Sequence, residues 1–163
     1  MVDTVEISVE LIRPNDANAY AAGDIVADST TVPTMLKFAN ASQAQLGNGY
    51  ITKVRLSTNQ SANVANFRLW LFEADAPAAL AADNTLLKIL YADGPKRAGY
   101  VDIPALATEG AGSDAAYSVV SNLKLPYTTD MTKTLYGILQ TKAVFTPAAL
   151  QKFFIELTVD RVN

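Results

Sequence analysis

RLSTNQSANVANFRLWLF, residues 55–72, reads as a strand, an uncharged loop and a second strand. Successive side chains of a strand point to opposite faces of its sheet. The second strand therefore sets Phe67, Leu69 and Leu71 on one face and Arg68, Trp70 and Phe72 on the other. A strand with one wet face does not place Trp and Phe on that face. The far side of this strand is accordingly predicted to be covered, by more of this chain, by a ligand or by another protein.

The same period of two recurs on both sides of this stretch. Upstream, Val5, Ile7, Val9 and Leu11 alternate with Thr4, Glu6, Ser8 and Glu10, which predicts a half-buried strand ended by Arg13-Pro14-Asn15-Asp16. A short extended piece at 24–27 and a strand at 34–39 follow. Strand 50–58 is expected to turn Tyr50, Val54 and Leu56 inward and Lys53 and Arg55 outward. Downstream, strands are predicted at 86–92, at 100–103, at 117–125 with Tyr117, Val119, Leu123 and Leu125 together, at 135–142 and at 152–160. The last turns Phe153, Ile155, Leu157 and Val159 inward. One or two helical turns are expected after Asp75, with Pro77 near their start, and a single turn after Thr146-Pro147. About eight or nine strands without a long helix predict an all-β, antiparallel β-sandwich of jelly-roll type. No repeat, linker or break in composition divides residues 1–163, so a single domain is expected, with residues 1–19 an arm or an edge strand.

The chain has 163 residues, 50% of them hydrophobic and 18% charged, with a net charge of −3. That length suffices to bury a sizeable core. The 13 Lys and Arg residues are scattered rather than drawn into a basic stripe, which argues against nucleic acid as a partner. No apolar run approaches the roughly 20 residues that span a bilayer, so no membrane is expected either. The alternating N-terminal stretch MVDTVEISVELIR does not read as a signal peptide.

Histidine and cysteine are both absent. That removes His-dependent nucleophile systems, the commonest metal ligand and any thiolate site. Two carboxylate pairs, Glu73 with Asp75 and Glu109 with Asp114, read as solvated loop charges, because a glycosidase also needs a fixed separation across a cleft. GAGSD at 110–114 lacks the lysine and the strand-loop-helix context of a phosphate loop. No catalytic residue, metal site or cofactor is therefore expected. Trp70, Tyr91, Tyr100 and Tyr136 are candidate stacking platforms for a sugar, weighed against burial in a core or in a subunit contact.

Several phrases resemble a family of small structural proteins encoded beside the head genes of tailed bacteriophages. They are YAAGDIVADSTT (20–31), KFANA (37–41), GNGYITKVRLSTNQSANVANFRLWLFEADAPAALAADNT (47–85), LLKILYADGPKRAGYVDIPALATEGAGSDAA (86–116), LYGILQTKAVFTPA (135–148) and FFIELT (153–158). The resemblance implies a virion location on the capsid exterior after synthesis in the host cytoplasm. It implies the role of an auxiliary decoration or cement protein that bridges capsid subunits, and it carries no catalytic motif. Its expected partners are the major capsid protein and further copies of itself, as a trimer or dimer. Arg68, Trp70 and Phe72 supply the mixture of aromatic and guanidinium groups that favours the buried centre of a protein interface. The alternative is a carbohydrate-binding module or virion adhesion protein of the same fold.

Overall fold

The computed structural model describes residues 2–75 and 80–162. These residues form eleven strands: β1 (Val2–Ile12), β2 (Ile25–Val26), β3 (Leu36–Phe38), β4 (Asn48–Thr58), β5 (Phe67–Phe72), β6 (Arg97–Ile103), β7 (Ala107–Thr108), β8 (Ala116–Val120), β9 (Leu125–Thr128), β10 (Leu135–Thr141) and β11 (Lys152–Val162). One sheet runs β1-β11-β4-β8-β7, with β9 also paired to β4. The other runs β2-β10-β5-β6, with β3 also paired to β10. Every pairing is antiparallel. The protein is an antiparallel β-sandwich of jelly-roll type.

The alternation explains the core directly. β5 turns Phe67, Leu69 and Leu71 toward the opposite sheet, where they meet Val54 and Leu56 of β4 and Phe153, Ile155, Leu157 and Val159 of β11. All of these are fully buried. Phe67 packs edge-on against Phe145 and Phe153, with ring centroids 5.7 and 5.5 Å away. Residues 2–12 form an edge strand, paired along their whole length with β11.

Four expectations need correction. Tyr50 faces out, 36% exposed, because the β4–β11 register slips between Thr158 and Val159. Lys53 pairs with Thr158 and Ile51 with Val159, so Thr52 is an extra residue and the inward parity changes from Val54 to Ile51. The strand expected at 117–125 is two strands. Asn122 adopts a left-handed φ of 59°, which ends β8 and lets β9 take up the same edge of β4 further along. Tyr117 and Val119 consequently face solvent, while Leu123 and Leu125 pack on the core. Residues 86–92 are not a strand. Leu86 makes one isolated bridge to Asp24, and a 3-10 helix covers Tyr91–Lys96. After Thr146-Pro147 the chain makes a turn closed by the Gln151 N–H donating to the Ala148 carbonyl at 3.2 Å, not a helix. The helical turns expected after Asp75 fall on 76–79, outside the described residues.

Candidate interaction surface

The outer face of the β6-β5-β10 sheet carries the residues singled out above. Cross-strand register sets Arg68 between Asp102 and Gln140, Trp70 between Tyr100 and Ile138, and Phe72 beside Tyr136. These three rows have different fates because the chain between β5 and β6 crosses over only part of the face.

Phe72 is fully buried. It forms a second apolar cluster with Ile25, Ala27, Met35, Tyr136 and Ile138, flanked by Leu80, Ala81, Leu87 and Ile89. The crossing segment is tied down by backbone bonds. Ile25 N–H donates to Thr85 O at 2.8 Å, Asn84 N–H to Ile25 O at 3.0 Å and Leu87 N–H to Gly23 O at 3.1 Å. The chain itself covers Phe72, which corrects its place in the expected interface: it has no surface to offer a partner. Tyr136 is likewise 7% exposed, with its hydroxyl donating to Asp130 Oδ2 at 2.7 Å, so it is no sugar platform.

A buried ionic knot anchors the same segment. Asp83 Oδ2 accepts from Arg13 Nη2 at 2.9 Å, and Asp83 Oδ1 accepts from the Tyr20 hydroxyl at 2.6 Å and from Ala27 N–H at 2.8 Å. Arg13 Nε donates to the Tyr20 hydroxyl, and the Tyr20 ring stacks on Phe145 at 4.8 Å. Arg13 and Asp83 are 1% and 4% exposed. Sequence reasoning missed this group, since both charges sit in turn-like stretches that read as solvated.

Arg68 and Trp70 remain half-buried at the margin of the covering segment. Arg68 makes a two-pronged ion pair with Asp102, Nε to Oδ1 at 2.6 Å and Nη2 to Oδ2 at 2.8 Å. Its guanidinium lies 3.9 Å from the centroid of Tyr100, whose ring packs against Trp70 at 5.1 Å. The Arg97 guanidinium also approaches the indole, 5.8 Å from its centroid. Trp70 Nε1 donates to Gln140 Oε1 at 2.9 Å, and Gln140 Nε2 donates to the Gly23 carbonyl at 2.9 Å. The rings and cations are thus held in one orientation before any partner arrives.

Next to them a groove of about 450 Å³ is lined by Ile89, Leu90, Tyr91, Gly94, Pro95 and Arg97. Tyr91 is wholly exposed, and Leu90 and Tyr100 are about half exposed. Alternating ring, guanidinium and apolar groups on one rigid face suit an apolar or aromatic partner surface, or the flat face of a sugar ring.

The Arg68 guanidinium holds the Asp102 carboxyl below the usual carboxylate range. Because the folded value lies below the unfolded one, the pair's contribution to stability is present above about pH 3.9 and is lost as pH falls through the folded value. Following the Asp102 carboxyl carbon by NMR in acid is expected to show titration below the ordinary value and a return toward it in Arg68→Leu. An ordinary value in the unaltered protein would refute the pairing.

The carboxylates considered for catalysis do not assemble. Glu73 Oε1 accepts from the Thr128 N–H at 2.8 Å and so braces β9, and Glu109 and Asp114 are exposed on the loop between β7 and β8. Among the described residues no group of three or more Asp, Glu, His or Cys side chains is placed to hold a metal ion. No described helix is long and apolar enough to cross a membrane.

No family model matches this sequence, and no curated protein matches it. Among solved structures the chain is similar to the capsid of Ralstonia phage GP4, at 16% identity and a TM-score of 0.38 over 100% of this chain and 86% of that one. It is similar to the capsid asymmetric unit of cyanophage Pam1, at 12% identity and a TM-score of 0.35 over 99% and 85%. It is also similar to the Clostridium thermocellum xylanase 10B CBM22-1–GH10 modules complexed with xylohexaose, at 11% identity and a TM-score of 0.36. That match covers 99% of this chain but 28% of the xylanase chain, so this chain spans little more than a quarter of its length.

Proposed function

We propose that this protein is a non-enzymatic virion component, an auxiliary capsid protein that sits on the outside of a phage head. There it bridges neighbouring copies of the major capsid protein. The resemblance of its sequence phrases to tailed-phage head-associated proteins supports this role. The observation that carries it is the preorganised surface of Arg68, Trp70 and Tyr100 continuing into the exposed Tyr91 groove. Aromatic and arginine anchors held rigidly at the centre of a contact supply most of the affinity of protein interfaces. Clamping adds contact area between capsid subunits and requires no chemistry.

The test is co-sedimentation with capsid shells, using Trp70→Ala and Tyr91→Ala. Each variant is expected to weaken shell binding by about 2 kcal/mol or more, near thirtyfold. Tyr91→Ala is expected to leave folding stability within about 0.5 kcal/mol, since its ring is wholly exposed. Unchanged shell binding by both variants would remove this face from the interface.

The second reading is carbohydrate binding, favoured by the same exposed rings bordering a groove. A glycan array separates the two: glycan binding that vanishes in Tyr91→Ala while shell binding persists transfers the surface to a sugar.

A further inference from the structure

Strand β1 has an outer edge with no partner among the described residues. It is eleven residues long and its register to β11 is unbroken. Natural sheets blunt exposed edges with short strands, lysine, proline or bulges, because a bare edge pairs with any strand that reaches it. Val2–Ile12 has no lysine, no proline and no bulge, and its three carboxylates, Asp3, Glu6 and Glu10, are each paired with a cation of the same chain, Arg161, Lys53 and Lys152. Its inward residues Val5, Ile7 and Val9 pack on the core yet stay only partly buried. On the outward face, Val2 is 60% and Ile12 42% exposed.

We infer that this edge is a self-interface, at which β1 pairs antiparallel with β1 of a second copy about a two-fold axis at Ile7. Charge and hydrophobic pattern select both the occupant and the register. In an antiparallel pair, residues directly opposite share a face. With Ile7 opposite Ile7, Val5 meets Val9, Glu6 meets Ser8, Thr4 meets Glu10, the exposed Val2 meets the exposed Ile12, and Asp3, its carboxylate held by Arg161, meets Leu11. Moving the axis to residue 6 sets Glu6 against Glu6; moving it to residue 8 sets Glu6 against Glu10. Like charges directly opposite are destabilising. Neither carboxylate calls for a basic foreign strand, because Lys53 Nζ lies 3.0 Å from Glu6 and Lys152 Nζ lies 3.4 Å from Glu10 within the same chain. The contact is isologous and closed, so it yields a dimer and not a filament. It joins the two β1-containing sheets into one continuous sheet. The inference is independent of the capsid proposal, since it concerns the isolated protein and the opposite sheet.

Sedimentation equilibrium of the isolated protein tests it, with substitutions on the solvent face. Ser8→Glu sets two Glu pairs opposite each other and is expected to weaken the dimer between about twofold and thirtyfold. Ser8→Lys places a cation opposite each Glu6 and is expected to tighten it over the same range. Both variants should melt as monomers like the unaltered protein, since the residue is exposed. The register has its own readout. The chain lacks cysteine, and residues directly opposite lie within disulfide reach. Ile7→Cys should therefore form a covalent dimer on mild oxidation, while Val5→Cys alone should not. A protein that stays monomeric up to its solubility limit overturns the inference. So does a dimer indifferent to the charge at residue 8, or one that cross-links through residue 5 and not residue 7.

Discussion

Asp83→Ala is expected to cost about 3–5 kcal/mol of folding stability, the usual penalty for breaking a buried ion pair by removing one partner. The carboxylate takes bonds from the Arg13 guanidinium, the Tyr20 hydroxyl and the Ala27 N–H. Its loss leaves a guanidinium that is 1% exposed without its fully buried counter-charge. Of its carboxylate partners the part-buried Asp16, 3.2 Å from Nη2, remains. Small domains are stable by roughly 5–15 kcal/mol, so the loss is a large share of the total. A urea melt should show a lower midpoint. The paired replacement Arg13→Met with Asp83→Leu should recover a good part of the deficit, since a well-packed apolar pair often replaces a buried ion pair at little cost. A single variant as stable as the unaltered protein would mean that the knot contributes nothing.

Phe72→Ala is the second large effect, also about 3–5 kcal/mol, as for truncating an aromatic side chain in a core. Its ring underlies Leu80, Leu87 and Ile89, so the cavity opens beneath the segment that crosses the sheet. Amide hydrogen exchange should accelerate first at Ile25, Asn84 and Leu87, whose N–H groups make the bonds between that segment and residues 23–25. Had Phe72 belonged to an intermolecular contact, the isolated subunit would lose little and association would suffer instead. A melt within 1 kcal/mol of the unaltered protein would restore that alternative.

The sandwich was readable where one periodicity governs a strand. Val5 to Leu11 and Phe153 to Val159 alternate without interruption, and each of those stretches is a strand with its apolar side on the core. The two-sided apolar pattern of β5 correctly announced a covered outer face, since strands buried on both sides carry apolar residues on both. What covers it could not be read, because LLKILYA at 86–92 looks like a strand by composition while lying over a sheet as irregular chain. A one-residue bulge at Thr52 reversed the facing of Tyr50, and a left-handed Asn122 split one expected strand into two. Both are single-residue events that periodicity averages away. The Arg13–Asp83 knot joins residues 70 apart in sequence, and neither flanking stretch marks its charge as buried. Of the surface, the trio Arg68, Trp70 and Phe72 was legible as a face, but its division into a covered and an open part depends on where the crossing segment lies.

The pairing order of the first sheet has a kinetic consequence. β11 lies between β1 and β4, bonded to both, yet it follows β4 in the chain by more than half the sandwich and β1 by most of it. During synthesis β1 and β4 emerge long before the strand that joins them. Until β11 inserts, their apolar sides have no sheet to belong to. Folding dominated by such distant pairings proceeds in milliseconds to seconds, and the waiting strands are open to association with other nascent chains. Ribosomes stalled just short of residue 152 should therefore carry a protease-sensitive chain, and release of the final eleven-residue strand should convert it to a resistant one in a single step.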